Sequence, residues 1–356
     1  MQNRIILIGL FLIILLGWSC REVYYPDNIE SGAKILVIQG QILQFEYPVV
    51  KLSWAINYEG QSPEYIEDAE VFISTDNGYS VPLQYIGAGT YTTADLVGYQ
   101  GITYSLNVVA DGEMYISTPQ YLQSAPVIES LYAKPGIKET VTYNTNNEPI
   151  VSEIEGLQVY SDHKSVENEP CYYRFNTKMV KQMVRTIDVG SPASRSEYIW
   201  QVSILDNTYT VDYSAMQNDR QVLLGHPLVF LWYYYDTNLE TETSTAPYTA
   251  AWVLTFNVAS ISDDVYEYYN SIDRQLDSDN QIFAPVASQV KSNILCATDP
   301  SQQVIGVFEA SAITMVYKAF GWKSMTEIYE KDLEWFPDNI TDGSQERFPP
   351  DFWVFF

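Results

Sequence analysis

Cys20 is the residue whose position carries the most specific chemistry in this chain. It follows Arg4, an apolar run that begins at Ile5, and the closing residues Leu16-Gly17-Trp18-Ser19, and polar sequence starts directly after it. The run is shorter than the roughly 20 apolar residues that a membrane-spanning helix needs. A basic start, an apolar middle and small residues ahead of a cysteine read as an export signal of the bacterial lipoprotein type. Cleavage would make Cys20 the first residue and load its sulfur with acyl chains, tethering the chain to a membrane without crossing it. Gly17 and Trp18 are unusual in their slots, and the alternative is an ordinary secretory signal cleaved near Ser19. Both readings put the protein outside the cytoplasm. No other cofactor is expected beyond the lipid on Cys20.

The remaining reactive residues are sparse. The two histidines, His163 and His226, stand outside any zinc-protease spacing, and no G-x-S-x-G elbow, P-loop or dinucleotide fingerprint occurs. The expectation is therefore a protein that is not an enzyme, with no catalytic residues to assign. Cys171 and Cys296 remain once Cys20 is given to the anchor. An oxidising compartment would let them pair, and two separate buried thiols are the alternative. Asp277-Ser278-Asp279-Asn280 resembles the start of a calcium loop but lacks the glycine and distant glutamate of an EF-hand, so no metal site is expected.

Binding chemistry is better represented. In the run Phe230 to Tyr235, strand geometry turns Phe230, Trp232 and Tyr234 to one side and Leu231, Tyr233 and Tyr235 to the other. One side must pack; the other either packs as well or offers rings to a peptide or glycan. Trp232 and Tyr234 are the contact candidates there. The chain ends Asp351-Phe352-Trp353-Val354-Phe355-Phe356, which reads as a docked last strand, a partner-binding tail carrying Trp353 and Phe355, or a barrel-sorting signal.

Charge narrows the partners. Against 45 acidic side chains stand 19 basic ones, a formal net charge of -26. Nucleic acid is excluded as a partner, because displacing counterions from phosphates needs a basic stripe. Adsorption of the folded surface to anionic lipid is disfavoured on the same ground, leaving the anchor to hold the membrane. With 46% hydrophobic residues the chain can bury large cores, and its 29 tyrosines suit half-buried sheet positions.

These residues must be positioned mainly by strands. The expected organisation is a signal peptide over 1–19, a tether over 20–33, an immunoglobulin-like β-sandwich over 34–125 and a larger β-rich domain over 126–356 with one or two helices. Val49 to Ile56 and Thr103 to Val108 alternate with period two, and Asp76-Asn77-Gly78 and Asp111-Gly112 are hairpin turn signals. Short strands of this kind at roughly 8–12 residue spacing point to a sandwich. Further on, Tyr172 to Phe175, Ile199 to Val202, Leu228 to Tyr235 and Trp252 to Val258 read as strands. Ser262 is a helix N-cap candidate, followed by Asp263 and Asp264 and a stripe of Val265, Tyr269, Ile272 and Leu276; a second helix is expected over Lys323 to Leu333.

The segments Tyr266-Glu267-Tyr268-Tyr269, Ile282-Phe283-Ala284-Pro285, Val290 to Ile294 and Val304 to Ala310, with Cys171 to Arg174 upstream, resemble the Bacteroidota lipoprotein family called domain of unknown function 4249 (DUF4249). The chain departs from such relatives at Phe348-Pro349-Pro350, which no cysteine follows. The resemblance implies a lipid-anchored outer-membrane protein at the cell surface. It also implies a TonB-dependent transporter of the SusC or RagA kind as partner. Together these give an expected role as accessory binding or docking subunit of a nutrient uptake system. An adhesin or envelope-assembly protein is the competing class, and a surface hydrolase a third.

Overall fold

The computed structural model describes residues 35–55, 63–144, 148–164, 172–190, 193–212, 222–232, 248–278, 290–324, 327–334 and 345–346. The chain divides into two compact units, 1–34 and 35–356, and all described residues belong to the second. It is mainly β, with one helix among the described residues. None of those residues form a helix long and apolar enough to cross a membrane.

The strands are β1 Leu36–Leu43, β2 Val49–Trp54, β3 Glu64–Tyr65, β4 Glu70–Thr75, β5 Ser80–Gly87, β6 Thr90–Thr92, β7 Thr103–Ala110, β8 Glu113–Ser117, β9 Gln120–Tyr121 and β10 Val127–Tyr143. They continue with β11 Pro149–Lys164, β12 Tyr172–Gly190, β13 Ala193–Asp212, β14 Val222–Trp232 and β15 Tyr248–Ile261. Helix α1 spans Asp263–Ser278, and after it come β16 Ile294–Cys296, β17 Val304–Ser311, β18 Ile313–Ser324, β19 Glu327–Leu333 and β20 Gln345–Glu346.

The first sheet runs β16-β8-β7-β4-β5-β6-β2-β1-β17. Its strands form because every second residue is apolar: Leu36, Ile38 and Ile42 of β1 and Tyr104, Leu106 and Val108 of β7 all point into one core. Asp111 and Gly112 both take positive φ, the mark of the two-residue turn that matches strand twist, and join β7 to β8. Two strands that the sequence reading puts in the 126–356 segment, β16 and β17, are hydrogen-bonded into this sheet. β17 lies parallel to β1, from Leu36 against Val304 to Leu43 against Ser311, so the sheet is mixed. Gly306 makes the approach feasible: its φ is 132°, and a Cβ there would lie 1.8 Å from the Ile38 carbonyl oxygen.

The two ends of the sheet nearly meet. The buried amide of Asn293 donates from Nδ2 to the Phe308 carbonyl at 2.8 Å, and its Oδ1 accepts the Phe308 N–H at 2.9 Å. One side chain thus copies a strand's hydrogen-bonding pattern across the gap. Ser292 adds a bond from its hydroxyl to the Gly306 carbonyl at 2.7 Å.

The rest of the unit holds a three-stranded sheet, β10-β11-β14, and a six-stranded one, β19-β18-β15-β12-β13-β20. β15 supplies both its faces. Trp252, Leu254, Phe256 and Val258 pack with Leu157 and Val159 between the sheets, while Val253 and Ala251 pack with Val180 and Trp200 on the other side. Farther along that second side, Ala259 and Ile261 meet Val265 and Tyr268 of α1. Ser262 caps the helix, accepting the Val265 N–H at 3.3 Å, and Asp264 accepts the Thr118 hydroxyl at 2.7 Å. The segment expected as a second helix instead forms a hairpin: β18 pairs with β19 from Tyr317 against Leu333 to Ser324 against Glu327. Pairing with an existing sheet edge outweighs weak helical periodicity there.

Replacing Asn293 with alanine would strand two backbone groups of Phe308 in a dry interior. An expected loss of about 2–4 kcal/mol can be measured by urea unfolding; a change too small to resolve would show that the seam does not hold the sheet.

Candidate functional site

The outward face of the three-stranded sheet gathers the aromatic residues best placed for contact. Antiparallel pairing sets Tyr132 opposite Tyr160, Lys134 opposite Gln158 and Gly136 opposite Gly156; across β14, Phe230 faces Gln158 and Trp232 faces Gly156. Leu131, Ala133, Leu157, Val159 and Leu231 point the other way, into the core. A bulge between Val159 and Tyr160 sends both Leu228 and Val229 inward and keeps Phe230 and Trp232 outside.

The Tyr132 and Tyr160 rings stack at 5.7 Å with 21° between their planes. Lys134 Nζ stands 5.3 Å from the first and 5.5 Å from the second. Trp232 is 47% exposed and Phe230 only 9%, because the Phe230 ring lies down over the glycines: a Cβ on Gly156 would come within 2.8 Å of it. A cleft of about 390 Å³ opens beside it, lined by Gly136, Lys138, Gln158, Tyr160 and Pro227 among others. Asp162 braces the row. Its carboxylate accepts the Ser130 hydroxyl at 2.5 Å, the Gly225 N–H at 2.7 Å and the Tyr132 hydroxyl at 3.5 Å. The Ser130 bond in particular holds Asp162 below the usual carboxylate range, and burial, then Asp162, pushes the Tyr132 phenol up.

Beneath this face the chain's two histidines come together, 6.4 Å apart, with the Phe175 ring 5.4 Å from His163. Ser161 Oγ bonds His163 Nε2. Burial first, then the neighbouring His226, pushes His163 down to about 3, while the Asp162 charge opposes this; burial lowers His226 as well. Among the described residues no group of three or more His, Cys, Asp or Glu side chains is placed to hold a metal ion.

Of the residues singled out from sequence, Trp232 lies on the aromatic face, while Tyr234, Trp353, Phe355, Cys20 and Cys171 lie outside the described residues. Cys296 is a buried free cysteine on β16, with its sulfur accepting the Asp299 N–H at 3.4 Å. Sequence reasoning passed over Tyr132, Lys134 and Tyr160. Their signal is the alternation Leu131-Tyr132-Ala133-Lys134 and Leu157 to Tyr160, but only register shows that the two segments share a face.

The family model described as Domain of unknown function (DUF4249) matches residues 21–316. The chain belongs to the DUF4249 family. No curated protein and no solved structure matches it. The DUF4249 match takes in β1 to β17, and with them the nearly closed sheet and the whole aromatic face, and it ends within β18.

A histidine kept neutral in the folded DUF4249 chain takes up its proton only on unfolding. Its contribution to stability is complete above the ordinary histidine value of 6.5 and is lost as pH falls through that value toward about 3. Unfolding free energy measured from pH 7 to 4 is expected to fall, and His163→Gln is expected to flatten that slope. An equal slope in the variant would refute the assignment.

Proposed function

We propose that the protein is a lipid-anchored lipoprotein of the outer membrane, displayed at the cell surface, that serves as accessory binding or docking subunit of a TonB-dependent uptake complex. The observation that carries the binding role is the exposed Trp232 on the same sheet face as the stacked Tyr132–Tyr160 pair and Lys134. Such a face offers flat apolar area with little rotamer entropy to lose, and a cation held over the rings. Peptides and glycans are the ligands that use it, and a transporter's loops are the macromolecular contact.

The anchor reading draws support from the leader that ends at Cys20 and from a family match that begins at Arg21, the next residue. An immunoglobulin-like arrangement for 34–125 draws support from the short antiparallel strands β4, β5, β7 and β8. The role is binding, with no catalytic step, no cofactor other than the lipid and no nucleic-acid partner.

Three measurements test this. Cys20→Ala is expected to move the protein from the membrane to the soluble fraction, and mass spectrometry of the native protein to find acyl chains on that sulfur. Purification from solubilised outer membrane is expected to bring down a β-barrel transporter, with recovery reduced in a Trp232→Ala, Tyr160→Ala variant of unchanged melting temperature. A bare sulfur overturns the anchor; a protein recovered alone overturns the docking role.

A further inference from the structure

A second cleft, of about 420 Å³, lies between helix α1 and the outer surface of β1, β2 and β17. Register builds its sheet wall: Gln39 pairs with Lys51 and Val307, and Gln41 with Val49 and Glu309, all on the face turned away from the first core. Tyr268, Tyr269 and Ile272 form the helix wall. Glu309 lies at the bottom, only 2% exposed. Its Oε1 accepts from Arg174 at 2.7 Å and from the Ser311 hydroxyl at 2.6 Å, and the Arg174 guanidinium sits 5.1 Å from the Tyr269 ring centre. Lys51 at the rim rests over the Tyr65 ring at 5.1 Å. Gln39 and Gln41 are exposed and hydrogen-bond no other described side chain.

The chemistry selects the ligand class. Arg174 already neutralises Glu309, so the cleft makes no demand for a cation, and a chain of net charge -26 does not collect polyanions. What remains free is a set of groups that both donate and accept, the primary amides of Gln39 and Gln41. Val49 and Val307 lie beside the glutamines on the sheet wall, and Ile272 with the tyrosine rings of the helix stands opposite. Hydroxyl groups on one edge and C–H groups on a flat face are what this arrangement complements, and the volume is within the range of small-ligand sites. We propose that the cleft binds a neutral carbohydrate of one or two pyranose rings, with Gln39 and Gln41 bonding its hydroxyls and the Arg174–Glu309 pair fixing the floor. The site uses no residue of the aromatic face, so it stands or fails separately from the docking role.

Saturation-transfer NMR on the full mature chain, with glucose, galactose, maltose and cellobiose as probes and glucuronate and lysine as charged controls, reads this directly. Saturation of at least one neutral sugar is expected. Loss of about tenfold or more in affinity is expected in Gln39→Ala, Gln41→Ala, whose melting temperature should match the parent because both side chains are exposed. Trp232→Ala is expected to leave the sugar signal unchanged. Absence of signal from every neutral sugar at millimolar concentration, signal from the charged controls alone, or equal affinity in the glutamine variant would each overturn the assignment.

Discussion

A sheet has two edges, and unpaired backbone groups at those edges must be satisfied or shielded. In this protein that constraint organises the whole unit. β8 and β1 would be open edges if the first sheet ended with residue 125, and the chain returns about 170 residues later to cover both, β16 lying on β8 and β17 on β1. The parallel β1–β17 pairing is only possible because the chain has travelled through the intervening sheets, since a parallel partner needs a long crossover. Asn293 then spans what remains of the gap with a side-chain amide in place of a peptide group.

Covering those edges has consequences on the outer surface. β17 presents Phe308 and Ala310 to the first core while Val307 and Glu309 face outward toward α1 and β12. Glu309 is thereby buried, and a buried carboxylate is tolerated only with a partner. Arg174 of β12 supplies it, with burial lowering and Glu309 more than restoring the guanidinium's hold on its proton, so the net direction is upward. Such a pair contributes modestly against two apolar residues of the same shape, yet removing either member alone is costly. Its effect here is positional: it ties the six-stranded sheet to the nearly closed one at a single register.

What could be read from sequence follows from how far each determinant reaches along the chain. The alternation in β1, β2 and β7, the Asp111–Gly112 turn and the Ser262 cap are set by neighbours within a few residues, and each is visible as a local pattern. The joining of β16 and β17 to the first sheet is not, because Ile294 carries no mark naming Ser117 as its partner. The long hairpin β10–β11 is hidden for another reason: residues 137–155 alternate weakly and expose Ile137, Val141 and Val151, so no buried face stands out. The exposed Trp232 lies in an aromatic run that draws attention by composition. Tyr132, Lys134 and Tyr160 acquire their meaning only when register stacks them together. Gln39, Gln41 and Glu309 are ordinary strand residues until β17 arrives beside β1.

The balance of forces at the aromatic face also bears on the binding role proposed for it. A chain with 45 acidic and 19 basic side chains repels acidic polymers at long range. Lys134 is drawn in over two rings, and the Asp162 carboxylate is engaged by Ser130 and Gly225. Salt screens the charges of this face within about 8–10 Å. In the proposed binding role, contact is decided at short range, by how well a ligand covers the Trp232 indole and the tyrosine edges. That requires the rings to be held in place beforehand, which the Gly136–Gly156 floor under Phe230 and the Asp162 bond to Tyr132 accomplish.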